Sequence, residues 1–179
     1  MDETLTPPLD DADHIRGELG RPLELVMFGD FQCPFCLGAQ SVLRRVHERL
    51  GDRLVFAFRH LPIRERHPLA PLAAEASEAA AAQGKFWEYH DALFPAQPKL
   101  SRETMLAVAA DLGLDAERMA AEIDSGIHRP RVERDLESAA RSGATGTPSF
   151  FVNGARHFGA YDASSLVEEL ERGSGTATG

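Results

Sequence analysis

The chain has 179 residues, a formal net charge of −9, 43% hydrophobic residues and 26% charged residues. That length gives one domain, or one carrying an insertion, with enough chain to bury a core without disulfide staples. The acidic balance excludes nonspecific nucleic-acid binding, which depends on Lys and Arg neutralising phosphates, and no stretch approaches the ~20 apolar residues that span a bilayer.

Residues 1–22, rich in Asp, Pro and Gly, read as a flexible arm. The opening Met1-Asp2-Glu3-Thr4-Leu5-Thr6-Pro7-Pro8 has neither the basic nor the apolar region of a secretory signal. The chain as written is therefore expected in the cytoplasm, or in the periplasm or another extracytoplasmic space if a signal has been removed. Residues 23–28 form a short apolar run closed by Gly29-Asp30, the pattern of a buried strand. A helical pattern over residues 37–50 places Leu43, Val46, His47 and Leu50 at helical spacing, and Gly51-Asp52 ends it. A second buried strand follows at residues 54–58.

From about residue 63 to 142 every periodic segment reads as helix. One is Ala-rich and stops at Gly84, one carries Phe86, Trp87, Tyr89, His90 and Leu93, and two begin at the capping residues Ser101 and Asp115. Phe86, Trp87 and Phe94 are expected in the core of this insertion, and His90 as a half-buried residue on an amphipathic face. The sheet resumes at residues 149–152. Asn153-Gly154 signals a tight hairpin with a returning strand over residues 156–160. Asp162 then caps a closing helix, and residues 172–179 read as a disordered tail. The expected fold is α/β, β-α-β then β-hairpin-α, with an inserted helical segment. Residues 23–62 and 143–171 make up the main domain, and residues 63–142 an inserted all-helical subdomain.

The chain has two cysteines, Cys33 and Cys36, too few for a disulfide framework. At the mouth of a helix, residues three apart lie at a separation that suits a disulfide, and the unpaired N–H groups favour a thiolate at the first cysteine. Pro34 supports that placement, because proline belongs in a first turn. Cys33 is then expected as the exposed nucleophile and Cys36 as the resolving thiol. A zinc site would need two further ligands. His60 with His67, or His90 with Asp91, could supply them, but without a recurring ligand spacing no metal is expected.

Residues 28–36 resemble the active-site stretch of DsbA-like thioredoxin-fold thiol–disulfide oxidoreductases. Phe58-Arg59-His60-Leu61-Pro62, residues 83–91 and residues 146–154 resemble further blocks of that family. The resemblance implies that Pro148 is a cis-proline facing the cysteine pair. It also implies that Thr147 lends its backbone to an extended substrate chain, that no cofactor is needed, and that substrates are protein or small thiols and disulfides, with a separate redox partner. Pro34, Phe35 and Asp30 would tune the pair. Phe35 stands where the family's best-known oxidase carries His, so a less oxidising couple is expected; Met27 stands where relatives often bury the acid that deprotonates the resolving thiol. Two other functions fit the same residues. One is glutathione-linked chemistry on a small molecule. The other is a peptide-binding holdase using the apolar surface of Phe31, Phe35 and Pro148.

Overall fold

A computed structural model describes residues 3–174. The chain divides into two compact units. One gathers the residues up to Gly29, Gly38–Arg59 and those from Glu137 onward, and the other gathers Asp30–Leu37 and His60–Leu136. The helical unit thus also takes in the segment that carries both cysteines.

The first unit is built on a five-stranded sheet ordered β1-β3-β2-β4-β5. Its strands are β1 (His14–Arg16), β2 (Leu23–Gly29), β3 (Leu54–His60), β4 (Ser149–Val152) and β5 (Ala155–His157). Every residue of β3 and β4 is buried, which is why these strands read as continuous apolar runs and not as alternating patterns. The last helix, α7 (Ala163–Ser174), packs on β2 and β4. At the end of β2, an added Cβ on Gly29 would lie 2.4 Å from the Phe58 ring, so only glycine fits there. The β4–β5 turn has Asn153 at φ 49° and Gly154 at φ 84°, the left-handed pair that a two-residue hairpin demands. The returning strand stops at His157, short of the expected residue 160.

Residues 3–22 are not a loose arm. Strand β1 pairs antiparallel with β3, and Leu5 and Asp13 are buried at 2% and 7% exposure. The anchor is an ion pair: Arg59 Nε donates to Asp13 Oδ1 and Nη2 to Oδ2, both at 2.8 Å. Further Arg59 N–H groups reach Pro7 O, Pro8 O and Ser138 Oγ. The expected tail is also shorter at its start, since Gly173 and Ser174 belong to α7. The rest of it lies outside the described residues.

Glu24, half-buried in β2, has its carboxyl pushed above the usual range by burial, against the pull of Arg59 and with a small push from Asp13. Its folded pKa stands above the unfolded one. Its contribution to stability is thus complete below the unfolded value near 4.5 and is lost as pH rises through the folded value. Glu24→Gln is expected to melt above the parent at neutral pH, with the gap closing toward about pH 4. Equal melting differences at both pH values would show that the charge is not the cause.

The second unit carries α2 (Ala70–Ala82), α3 (Phe86–Leu93), α4 (Arg102–Asp111) and α5 (Ala116–Ser125). It also holds the start of α6 (Arg129–Ser142). Ser101 Oγ accepts from Thr104 N–H and Asp115 Oδ1 from Arg118 N–H, each at 3.0 Å, as N-caps do. Phe86 and Phe94 are in the core at 6% and 1% exposure. Trp87 is not: it is half-exposed, with one edge on Phe86 and His90. His90 has 0% exposure where half-burial was expected. It closes a ring cluster with Phe31, Phe86 and Phe94, and its Nδ1 pairs with Asp91 at 2.8 Å.

Candidate redox site

Helix α1 (Pro34–Leu50) starts directly after Cys33. The Cys33 carbonyl accepts from Leu37 N–H and Cys36 N–H, both at 3.1 Å, so Cys33 is the N-cap and Cys36 lies in the first turn. Pro34 occupies the first helical position, where a missing N–H costs nothing. The open N–H groups and the positive end of the helix dipole therefore meet at Cys33, an environment that stabilises a thiolate.

The expected exposure of Cys33 needs correction. Cys33 is 3% exposed and Cys36 0%. The segment is held down by a residue that sequence reasoning passed over. Gln97, in the 3-10 turn Phe94–Lys99, donates from Nε2 to Phe31 O at 2.8 Å and to Cys33 O at 2.9 Å. A lone Gln between two prolines gives no sequence signal for that role. The exposed member of the motif is Phe35, at 68%, while Phe31 is 1% exposed and stacked among His60, His90 and Phe94. An apolar surface that includes Phe31 is therefore not present.

Asp30 organises the loop before the cysteines. Its carboxylate is buried at 1% exposure. Oδ1 accepts from Gln32 N–H at 2.7 Å, an Asx turn, and Oδ2 accepts from Ile63 N–H at 2.9 Å. Oδ2 also pairs with His67 Nδ1 at 2.8 Å, and the Asp30 carbonyl accepts from Cys33 N–H. The other histidines weighed as zinc ligands have carboxylate partners too, His60 Nε2 lying 2.9 Å from Glu78 Oε2. Met27 is wholly buried in β2.

Cys33, Pro34, Phe35, Cys36 and Asp30 thus share one unit, and Thr147 and Pro148 belong to the other. The Thr147–Pro148 bond is cis, as expected, and both residues are half-buried. A second cis bond, Thr6–Pro7, had no sequence signal.

With this geometry in hand, likeness to known proteins decides the family. The thioredoxin family profile matches residues 10–172. The chain belongs to the thioredoxin family. Its fold is shared with BdbD from Bacillus subtilis in the oxidised form, at a TM-score of 0.86 and 22% identity over 98% of this chain and 100% of that one. A thioredoxin-like oxidoreductase from Silicibacter pomeroyi superposes at 0.81 with 26% identity, over 94% and 95% of the two chains. The thiol-disulfide exchange protein alpha-DsbA2 from Wolbachia pipientis superposes at 0.78 with 18% identity, over 91% and 88%. The fold is that of DsbA-like thiol–disulfide oxidoreductases. Among curated sequences, the Na(+)/H(+) antiporter NhaA of Herminiimonas arsenicoxydans is 48% identical over 93% of this chain. NhaA 1 of Mycolicibacterium vanbaalenii is 43% identical over 94%. The chain spans only 27% and 28% of the length of these two relatives.

Proposed function

We propose that this thioredoxin-family chain catalyses dithiol–disulfide exchange on polypeptide or small thiol substrates through Cys33 and Cys36. The observation that supports this most is the position of Cys33 at the N-cap of α1, with Pro34 behind it and Cys36 one turn along. In the reducing direction the Cys33 thiolate attacks one sulfur of a substrate disulfide, forming a mixed disulfide and releasing the first substrate thiolate. The Cys36 thiolate then attacks Cys33 Sγ, closing the protein disulfide and releasing the second thiolate; two electrons pass to the substrate. The oxidising direction is the reverse. The roles of Thr147 and Pro148 in holding an extended substrate, and of Phe35 in setting the poise, are part of the same proposal. With Phe35 in place of an imidazole, the couple should fall between about −270 mV and about −120 mV, the thioredoxin and DsbA values.

The proposal concerns redox chemistry alone. Ion transport is named for relatives of whose length this chain spans about a quarter, and among the described residues no helix is long and apolar enough to cross a membrane.

Single substitutions of the cysteines test the roles. Insulin reduction with dithiothreitol should vanish in Cys33→Ser. In Cys36→Ser it should stall, with a mixed disulfide accumulating on a non-reducing gel. Full activity in Cys36→Ser would instead select the glutathione-linked reading, which needs only one thiol. Retention in Cys33→Ser would remove the nucleophile assignment.

A further inference from the structure

A cleft of about 470 Å³ opens within the helical unit, a volume in the range that holds a ligand and not merely water. Its walls are partly apolar, from Pro62, Pro71, Val132 and Leu136. It is also lined by a carboxylate from α2, Glu75, whose side chain is 9% exposed. Its Oε1 is buried and makes no hydrogen bond. The nearest cation, Arg129 Nε, lies 3.5 Å away in a long ion pair, on a side chain that is 63% exposed. One turn further along α2, Glu78 has a close partner that Glu75 lacks: its Oε2 meets His60 Nε2 at 2.9 Å. Burial pushes the Glu75 carboxyl above the usual range, against the pull of Arg129, His128 and Arg64. A buried acceptor left short of a donor is unfavourable by itself.

One lip of the cleft is the segment from β3 to α2, which carries Pro62, Arg64 and Glu65. That segment is bonded to the loop before Cys33, through Ile63 N–H to Asp30 Oδ2 at 2.9 Å and Leu69 N–H to Gln32 Oε1 at 2.8 Å. The cleft is therefore fixed to the redox loop. At its rim Glu65 and Glu133 add two carboxylates against the guanidiniums of Arg64 and Arg129. With Glu75 included, the acidic groups outnumber the basic ones.

We propose that this cleft is a substrate subsite for a lysine or arginine side chain of an extended polypeptide. The bound ammonium or guanidinium takes the place of Arg129 beside Glu75, and the methylene stem lies along the prolines, Val132 and Leu136. This rests on the reading that polypeptides are substrates and gives those substrates a chemical preference.

The test uses the full chain, labelled with ¹⁵N, and a cysteine-free capped peptide with one central lysine. The same peptide with norleucine or glutamate at that position serves as comparison. The lysine peptide should bind about tenfold or more tighter than the norleucine one, as a hydrogen bond to a charged group contributes on that scale. It should shift the amides of Arg64, Glu75, Arg129 and Val132. Glu75→Gln should remove the lysine preference, and Arg129→Ala, on an exposed side chain, should strengthen it. These opposite signs cannot both come from misfolding. No shift at these amides, no preference among the peptides, or equal binding by lysinamide alone would overturn the proposal. Insulin reduction run in parallel separates the two readings. Turnover without lysine discrimination removes the subsite only, whereas lysine binding without turnover removes the redox function on which its role as a substrate subsite depends.

Discussion

Asp13→Ala should lower the stability of the chain by about 3–5 kcal/mol in urea unfolding. The residue is 7% exposed, and its two carboxylate oxygens take both the Nε and Nη2 protons of Arg59, itself 1% exposed. Removing the acid leaves a guanidinium in the interior with Pro7 O, Pro8 O and Ser138 Oγ as its remaining acceptors among the described residues. Those neutral acceptors cannot replace the counter-charge. The pair itself contributes less than its loss suggests, because taking two ions out of water offsets most of their attraction. Joint replacement, Asp13→Leu with Arg59→Met, should therefore be much milder than Asp13→Ala alone. A single-mutant loss below about 1 kcal/mol would mean that water reaches the pair.

Asp30→Ala is expected to be the most damaging change near the cysteines that leaves both thiols intact. Three donors converge on the buried carboxylate: the N–H groups of Gln32 and Ile63, and Nδ1 of His67. A buried donor left without its acceptor costs about 1–3 kcal/mol; these three are part-buried, so water offsets some of the loss and about 3 kcal/mol in total is expected. Asp30→Asn should lose less, because its amide oxygen can still accept from one of the two backbone groups. Its NH₂ then meets a donor, so it does not restore the parent. The measurement is urea unfolding of both variants, alongside the rate at which iodoacetamide modifies Cys33. Loosening of the loop should speed that modification in Asp30→Ala, since Cys33 N–H bonds to the Asp30 carbonyl. Unfolding midpoints equal to the parent would show that the loop is held by Gln97 and not by Asp30.

The comparison of sequence with structure turns on whether a signal is local. The cysteine pair at a helix mouth was legible because Pro34, the spacing of three and the preceding apolar strand lie within one short segment. The same holds for the Asn153-Gly154 turn and for the caps at Ser101 and Asp115. What could not be read involves partners far apart in the chain. Asp13 looked like part of a polar arm, because nothing local says that Arg59, 46 positions on, is its counter-ion. Sequence alone offers His67 as a metal ligand, whereas its partner is Asp30, 37 positions earlier. Gln97 reaches Cys33 across 64 positions. The burial of Cys33, at 3% exposure, likewise has no local signal. Trp87 failed differently: a helix of only eight residues presents few positions, and Phe86, Tyr89, His90 and Leu93 already fill its inward face.

Helix α2 has one further consequence. Every residue from 73 to 80 is buried, and α3, α4 and α5 all pack against it. Its alanines let those neighbours come close, and of the residues along that stretch Glu75 is the one that lines the cleft. Amide protons there can meet water only when the surrounding helices part together. In heavy water the backbone of α2 should keep its hydrogen longest within the helical unit, exchanging by opening of the whole unit and not by fraying from an end. Any ligand of the unit should therefore slow α2 in proportion to its binding free energy, even where it touches none of those amides.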